Sequence, residues 1–336
     1  MKVKVAVIGT GNMGFHHIRN LYHNPNVDLV GMVDTNEEKI KQVQKLFDVE
    51  GFKDYKELLG KVDAVSIVTP TSTHFEIAMF FLENRVNVLL EKPITQEIDD
   101  AEKLIEVSEK MGGKLAIGHI ERFNPVMIEM KQMLNGKKPV YIDIHRESPF
   151  DARIFDTDVI SDLMIHDIDL IHFLLNEPIR VISAQGVSVH SDKNDLVNAQ
   201  LISKSGVLIS ITTSRATEQK IRSWRVIMPE KLIEADLLER KLFLTRRTSV
   251  GVDLFQTGFD HKYTQEQITA KVLVANYEPL QMEINDFINS IQTGTAPKTG
   301  GVEGLKALKI VKEIQKATII DPQSSVLEEQ ELRITI

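Results

Sequence analysis

Residues 162–171 read Asp-Leu-Met-Ile-His-Asp-Ile-Asp-Leu-Ile. Three aspartates and a histidine lie in a stretch that is otherwise Leu, Met and Ile. Charged groups in so apolar a segment are costly unless they are paired or used. On a helix, at about 100° per residue, Asp162, His166 and Asp169 share one narrow face, and Asp167 points well away, toward solvent or a separate partner. Such a face supports three kinds of chemistry. An Asp and a His at i, i+4 could ligate a metal, but zinc usually takes more His or Cys. No other His-rich or Cys-rich cluster completes a shell, so no metal is expected. An aspartate could simply satisfy a core histidine. Or His166 could be a general base whose tautomer and orientation are set by a neighbouring carboxylate.

A second constellation lies near the start of the chain. Residues 9–14 are Gly-Thr-Gly-Asn-Met-Gly. The motif follows an apolar strand and opens a helical stretch. In that setting Gly9 permits a tight turn, Gly11 lets the backbone approach a pyrophosphate, and Gly14 allows close helix–strand packing. Thr10, Asn12 and Met13 complete the loop, and the helix N-terminus offers N–H groups to the phosphates. Asp34 ends the second strand about twenty residues further on, where a carboxylate receives ribose hydroxyls. It would repel a 2′-phosphate, and Thr35-Asn36-Glu37-Glu38 supplies no arginine, so the expected cofactor is NAD. Thr69, Pro70 and His74 follow the next buried strand, and Glu91-Lys92-Pro93 follows another. Ligands of open α/β sheets sit outside the carboxyl ends of strands, so both segments are expected near the cofactor. Lys92, fixed by a following proline, could stabilise an alkoxide or help move a proton. Alternatively it forms a surface pair with Glu91. His119 either contacts the nicotinamide pocket or is a core histidine.

These groups need elements to hold them. Apolar runs at Val3–Ile8, Leu29–Val33, Ala64–Val68, Val86–Leu90 and Leu115–Ile117 alternate with helical patterns near 12–20, 36–47, 74–83 and 97–110. That alternation implies βαβ units and a parallel sheet. After Pro125 the pattern changes. Strands are expected at 140–146, 181–190, 195–203, 207–214, 222–228 and 231–237, with a hairpin turning at Lys204-Ser205-Gly206. A helix over 157–175 interrupts them, and helices at 279–292 and 302–317 close the chain. The expected fold is an α/β Rossmann domain over 1–121 followed by an α+β domain over 122–336 with an open, mostly antiparallel sheet.

Composition excludes several classes. The 336 residues contain no cysteine, so disulfides, thiolate metal sites and Cys nucleophiles are out. The net charge is −8 and no basic run appears, against nucleic acid as a partner. No apolar run approaches the ~18 residues of a membrane span. No signal-peptide pattern precedes the glycine motif, so the cytoplasm is the expected compartment.

The motif GTGNMG, the segment VTPTSTH, the tripeptide EKP and the D-x-x-x-H-x-x-D spacing at 162–169 resemble, in this order, the Gfo/Idh/MocA oxidoreductases. The resemblance covers nearly the whole chain. It implies that Lys92, Asp162 and His166 form the catalytic group and that the second domain's sheet covers the nicotinamide and mediates a homo-oligomer, a dimer or tetramer. Many members carry glycine two residues before the histidine, where this chain has Met164. The strings 118–125, GHIERFNP, and DLMIHDID are similar to a branch that oxidises the 3-hydroxyl of UDP-N-acetylglucosamine by hydride transfer. That similarity implies a 3-keto product commonly taken by a PLP-dependent aminotransferase. A UDP-sugar diphosphate needs arginines. Arg146 and Arg153, in the loop leading to the 162–171 helix, and Arg122, after a strand end, are the candidates, although each could equally pair with surface carboxylates. The alternatives are a dehydrogenase of a neutral polyol or free sugar, such as inositol or glucose, and a non-catalytic NAD sensor.

Overall fold

The computed structural model describes residues 1–151, 157–252 and 263–318. They form two compact units, residues 1–129 with 275–309, and the described residues of 130–274 with 310–318.

In the first unit β1 (Val3–Ile8), α1 (Asn12–Tyr22), β2 (Val27–Val33), α2 (Glu37–Gln44), β3 (Gly51–Phe52), β4 (Ala64–Ile67), α3 (His74–Glu83), β5 (Asn87–Glu91), α4 (Ile98–Met111) and β6 (Leu115–Gly118) follow in turn. The six strands are parallel, in the order β3-β2-β1-β4-β5-β6. The order reverses between β1 and β4, and this switch point is where ligands bind in such sheets. Val5, Val7, Ala64, Val65, Ile67 and Leu90 are fully buried, as expected of strands covered on both faces. A 3-10 turn, Ile120–Phe123, leads to α5 (Pro125–Leu134).

The second unit contains β7 (Tyr141–Glu147), a π-helical turn at Ile160–Met164, α6 (Ile165–Leu175), β8 (Ile179–Val187), β9 (Leu196–Ser203), β10 (Leu208–Ser214), β11 (Ile221–Ile227), β12 (Lys231–Asp236), β13 (Lys241–Val252) and β14 (Tyr263–Val272). The eight strands run in the order β14-β13-β12-β11-β7-β10-β9-β8. Only β7 and β10 pair in parallel; the remaining neighbours are antiparallel. Strand β9 alternates half-buried and buried residues along its length, as a sheet with one core face requires. The expected hairpin joins β9 and β10, with Gly206 at φ +89°.

The chain then returns to the first unit with α7 (Pro279–Thr293) and the start of α8 (Gly301–Ala317). Leu280, Ile284, Phe287 and Ile288 of α7 enter the same core as Val3, Val5, Val7, Ile18 and Leu21. The unit boundaries depart from expectation in two respects. The division falls after residue 129 rather than 121, and residues 275–309 pack with the first unit's parallel sheet instead of the second unit. The cause is the apolar face of α7, which covers one side of that sheet. The helix expected over 157–175 begins with a π turn, a local widening frequent at functional sites. None of the described helices is long and apolar enough to cross a membrane.

Candidate active site

The three glycines between β1 and α1 are needed for different reasons. Gly9 has φ +97°, and a Cβ there would lie 2.4 Å from the Val68 carbonyl oxygen. A Cβ on Gly14 would lie 2.0 Å from the Gly9 oxygen. The polypeptide itself forbids side chains at both positions. A Cβ on Gly11 would meet nothing within 4 Å, so the free space there suits a ligand drawn close to the backbone. No side chain caps α1 and no acidic residue occupies its first turn. Asn12 and Met13 are exposed beside that uncapped end, whose amides carry partial positive charge.

Asp34 ends β2 at the same edge. Its Oδ2 accepts from the Thr10 amide at 2.9 Å and the Thr10 hydroxyl at 2.7 Å, and Oδ1 accepts from the Asn36 amide. Burial pushes its pKa up, but the Thr10 and Asn36 donors outweigh that and hold it below the ordinary carboxylate value. Thr10 thus fixes a charged carboxylate at the mouth of a cavity of about 710 Å³. Gly9, Gly11, Asp34, Thr69 and Pro70, all expected near the cofactor, line it. Lys39, Lys53, Tyr55, Thr73 and Glu76 also line it and went unrecognised in the sequence. Only their places after β2, β3 and β4 could have pointed to them. Tyr55 donates to Glu76 at 2.9 Å, and burial together with that acceptor raises the phenol pKa to about 12. Open space at Gly11, an uncapped helix and a fixed carboxylate together fit the pyrophosphate and ribose of NAD.

Other expected cofactor residues are placed differently. His74 is fully buried, with Nδ1 2.9 Å from the Pro93 oxygen and Nε2 3.0 Å from the Thr69 oxygen. It ties two loops and does not line the cavity. The Glu91 carboxylate is turned into the protein rather than to the surface. Its Oε1 lies 3.1 Å from Nε2 of the buried His17, whose Nδ1 lies 2.8 Å from the Ser66 hydroxyl. Lys92 follows the end of β5 and is half-buried. His119 is buried at the end of β6. Arg122 is half-buried, and its guanidinium donates to the Lys298 carbonyl at 3.2 Å. His17, Glu91 and Glu283 bring potential ligand atoms within 4.8 Å of one another. Both His17 nitrogens already serve hydrogen bonds, so a metal would have to displace them.

In the second unit the π turn and α6 leave Asp162 and His166 half-buried, while Asp169 is buried. Asp167 does not point to solvent. It is fully buried and takes a two-pronged bond from Arg146 of β7, Nε to Oδ2 at 2.6 Å and a terminal nitrogen to Oδ1 at 3.0 Å. The Trp224 indole donates to the same Oδ1 at 3.3 Å. Arg146 is thus committed to an internal ion pair and cannot serve as the expected diphosphate ligand. The reason is geometric: alternate residues of β7 face the core, and Arg146 is on that side. Arg153 lies outside the described residues. A second buried pair, Arg215 Nε to Asp195 Oδ1 at 2.6 Å, also donates to the Thr157 carbonyl at 2.7 Å, just before the π turn.

Residues 3–119 match the family described as "Oxidoreductase family, NAD-binding Rossmann fold", and 139–233 match the GFO/IDH/MocA C-terminal domain. A UDP-N-acetylglucosamine 3-dehydrogenase of Acidithiobacillus ferrooxidans is 33% identical over 316 residues, 94% of this chain and 97% of the relative. The chain belongs to the Gfo/Idh/MocA family. It is an NAD-binding oxidoreductase. A solved structure of UDP-N-acetylglucosamine 3-dehydrogenase from A. ferrooxidans superposes with a TM-score of 0.86 at 31% identity, covering 95% of this chain and 98% of that one. An inositol 2-dehydrogenase of Rubrobacter xylanophilus is 29% identical, over 63% of this chain and 65% of its own length. Membership of the Gfo/Idh/MocA family agrees with the parallel sheet, the Gly9–Gly14 turn and the largely antiparallel second sheet.

Proposed function

We propose that this enzyme oxidises the 3-hydroxyl of UDP-N-acetylglucosamine to the 3-keto sugar with NAD as acceptor. The observation that carries the reading is the extent of the likeness to the A. ferrooxidans dehydrogenase, which runs through both units and spans 97% of that protein. NAD, when bound, would supply the acceptor for the hydride that leaves the carbinol carbon. The chain supplies the rest. His166 accepts the hydroxyl proton, Lys92 hydrogen-bonds the same oxygen and stabilises its developing negative charge, and Asp162 holds the substrate or the imidazole. Gly9–Gly14 and Asp34 hold the dinucleotide. Of the three candidate arginines, Arg146 is spent on Asp167, so the diphosphate is assigned to Arg122, which is half-buried, together with Arg153. The 3-keto product suits a PLP-dependent aminotransferase. The same reading implies a cytoplasmic homo-oligomer of two or four copies, which light scattering would measure.

One finding favours a second reading. Arg146 is withdrawn into its pair with Asp167, which leaves less positive charge for a diphosphate and suits a neutral polyol such as inositol. A panel of UDP-sugars, free sugars and inositols, mixed with NAD and a keto trap and followed at the NADH absorbance, separates the two. UDP-N-acetylglucosamine should be turned over fastest, and Arg122→Ala should raise its KM. Preferred turnover of inositol would refute the sugar-nucleotide reading. His166→Ala should lower kcat by about 10²–10⁴-fold while NAD binds as before. Near-normal turnover in that variant would remove His166 from the chemistry.

A further inference from the structure

We propose that two buried imidazoles, His17 and His74, grip the Glu91-Lys92-Pro93 turn from its two flanks and so set where the Lys92 ammonium stands. The inference rests on the reading that Lys92 meets the substrate oxygen. Both histidines are buried with their ring nitrogens turned to protein groups, so both are positioning residues rather than catalytic ones.

The two rings do the same job at different heights of the sheet. An imidazole has two nitrogens pointing in divergent directions, so one ring can tie two strands together. His17 stands between Ser66 of β4, at 2.8 Å, and Glu91 at the end of β5, at 3.1 Å. His74 stands between the Thr69 carbonyl, just past β4, at 3.0 Å, and the Pro93 carbonyl, just past β5, at 2.9 Å. His17 therefore hydrogen-bonds both the β4 and the β5 side, whereas a neutral His74, facing two carbonyls, donates to one of them and stands wedged against the other; Lys92 lies between the two points of attachment. Thr69 also lines the cofactor cavity. The tripeptide is thus held in register with the cavity wall rather than with solvent.

Glu91 carries the grip to the lysine itself. Its Oε2 accepts the Lys92 amide at 3.1 Å. Burial drives the Glu91 pKa up, but the His17 hydrogen bond and the neighbouring positive charges outweigh it and keep the carboxylate ionised. With Glu91 ionised, His17 must donate from Nε2, and Nδ1 faces the Ser66 hydroxyl. Space for this carboxylate is reserved across the sheet. Gly118 of β6 is the direct neighbour of Glu91 in the ladder, and a Cβ there would lie 2.9–3.0 Å from the carboxyl atoms. A position error of about 1 Å at a catalytic group costs on the order of 10²-fold in rate, so such support has a kinetic consequence.

The test uses His17→Leu and His74→Leu, with His17→Gln and His74→Gln as variants that keep an N–H donor, in the full chain. Without NAD, amide hydrogen exchange across residues 89–95 should accelerate at least tenfold in each Leu variant and recover in part in the Gln variants. With NAD and the substrate preferred in the panel above, kcat should fall about 10- to 100-fold while KM and NAD affinity stay within threefold. The deciding measurement is a double mutant. If His17 acts through Lys92, adding His17→Leu to Lys92→Ala should lower kcat no further, whereas a merely structural role would multiply the two losses. Unchanged exchange together with unchanged kcat, or losses that multiply, would overturn the inference. If Leu variants do not fold, Gly118→Ala disturbs the same carboxylate from β6 and should show the same exchange and kcat pattern; a normal kcat and exchange there would overturn it equally. Normal turnover in Lys92→Ala would instead refute the role of Lys92, and the exchange result would still decide whether the imidazoles hold the turn.

Discussion

Gly11 and Gly14 stand three residues apart in one turn and are glycine for opposite reasons, which makes their alanine variants informative. A Cβ at Gly14 collides with the Gly9 carbonyl at 2.0 Å, so Gly14→Ala must displace α1 from β1. Overpacking of that kind costs about 1–3 kcal/mol, and a lowered Tm should report it. A Cβ at Gly11 meets no protein atom within 4 Å, and its φ of −66° suits any residue. Gly11→Ala should therefore fold with an unchanged Tm yet raise the NAD Kd at least tenfold, or about 1.4 kcal/mol, by calorimetric titration. Normal NAD affinity in that variant would mean that the pyrophosphate does not pass over Gly11. At this scale the sequence was most legible where a motif has one physical reason, as at Gly9, Gly11, Gly14 and Asp34. It was least legible for histidines and arginines. Types and spacing could not tell that His74 and Glu91 serve the protein's own loops, or that Arg146 turns inward, because each depends on a partner distant in sequence.

The pair of Arg146 and Asp167 is a property of two elements, β7 and α6, and it predicts a non-additive pattern. Removing one member of a buried pair strands the other charge, at a cost of about 3–5 kcal/mol, whereas replacing both with apolar residues is often nearly neutral. Arg146→Met should thus lower stability by that order in urea melts, and Arg146→Met with Asp167→Leu should recover most of it. A double variant as unstable as the sum of the singles would show that Arg146 has other obligations. Elements that bury a regular apolar pattern were readable from sequence: β1, β2, β4, β5 and β6 fall where their Val, Ile and Leu runs lie. Strands β13 and β14 were not expected. Only Leu242 is buried in the first half of β13, followed by exposed Arg246, Arg247 and Thr248. That hairpin is held by its backbone ladder and by contacts such as the Thr245–Thr269 hydroxyl pair, which leave no hydrophobic period to read. The π turn before α6 and the return of α7 to the first sheet are likewise outcomes of packing that no local pattern announces.

For the whole molecule, the buried titratable groups predict a loss of stability in acid with two onsets. Burial holds the His74 pKa below its ordinary value of 6.5, against the pull of two carbonyl acceptors. The folded state then keeps the ring neutral while the unfolded chain protonates it. That stabilisation is complete above pH ~6.5 and declines as the pH falls toward the lower folded value. The carboxylates act further down. Asp34, Glu91 and Asp195 all have folded pKa values below the ordinary carboxylate range. For Asp195, burial is outweighed by the His190 amide, the Arg215 guanidinium, the Val189 amide and the Ser191 hydroxyl. Their stabilisation is present above the unfolded value near ~4 and is lost as the pH drops through the folded values. The net charge of −8 works the other way in mild acid, since neutralising it relieves self-repulsion. Melting temperatures taken from pH 8 to pH 3 should therefore decline gently below about 6.5 and steeply below about 4. His74→Gln should remove the first limb and leave the second. Asp195→Asn should be less stable at neutral pH, because Arg215 loses its counter-charge, and should show a shallower second limb. A His74→Gln curve parallel to the wild type over pH 7–5 would show that this imidazole titrates alike in folded and unfolded chains.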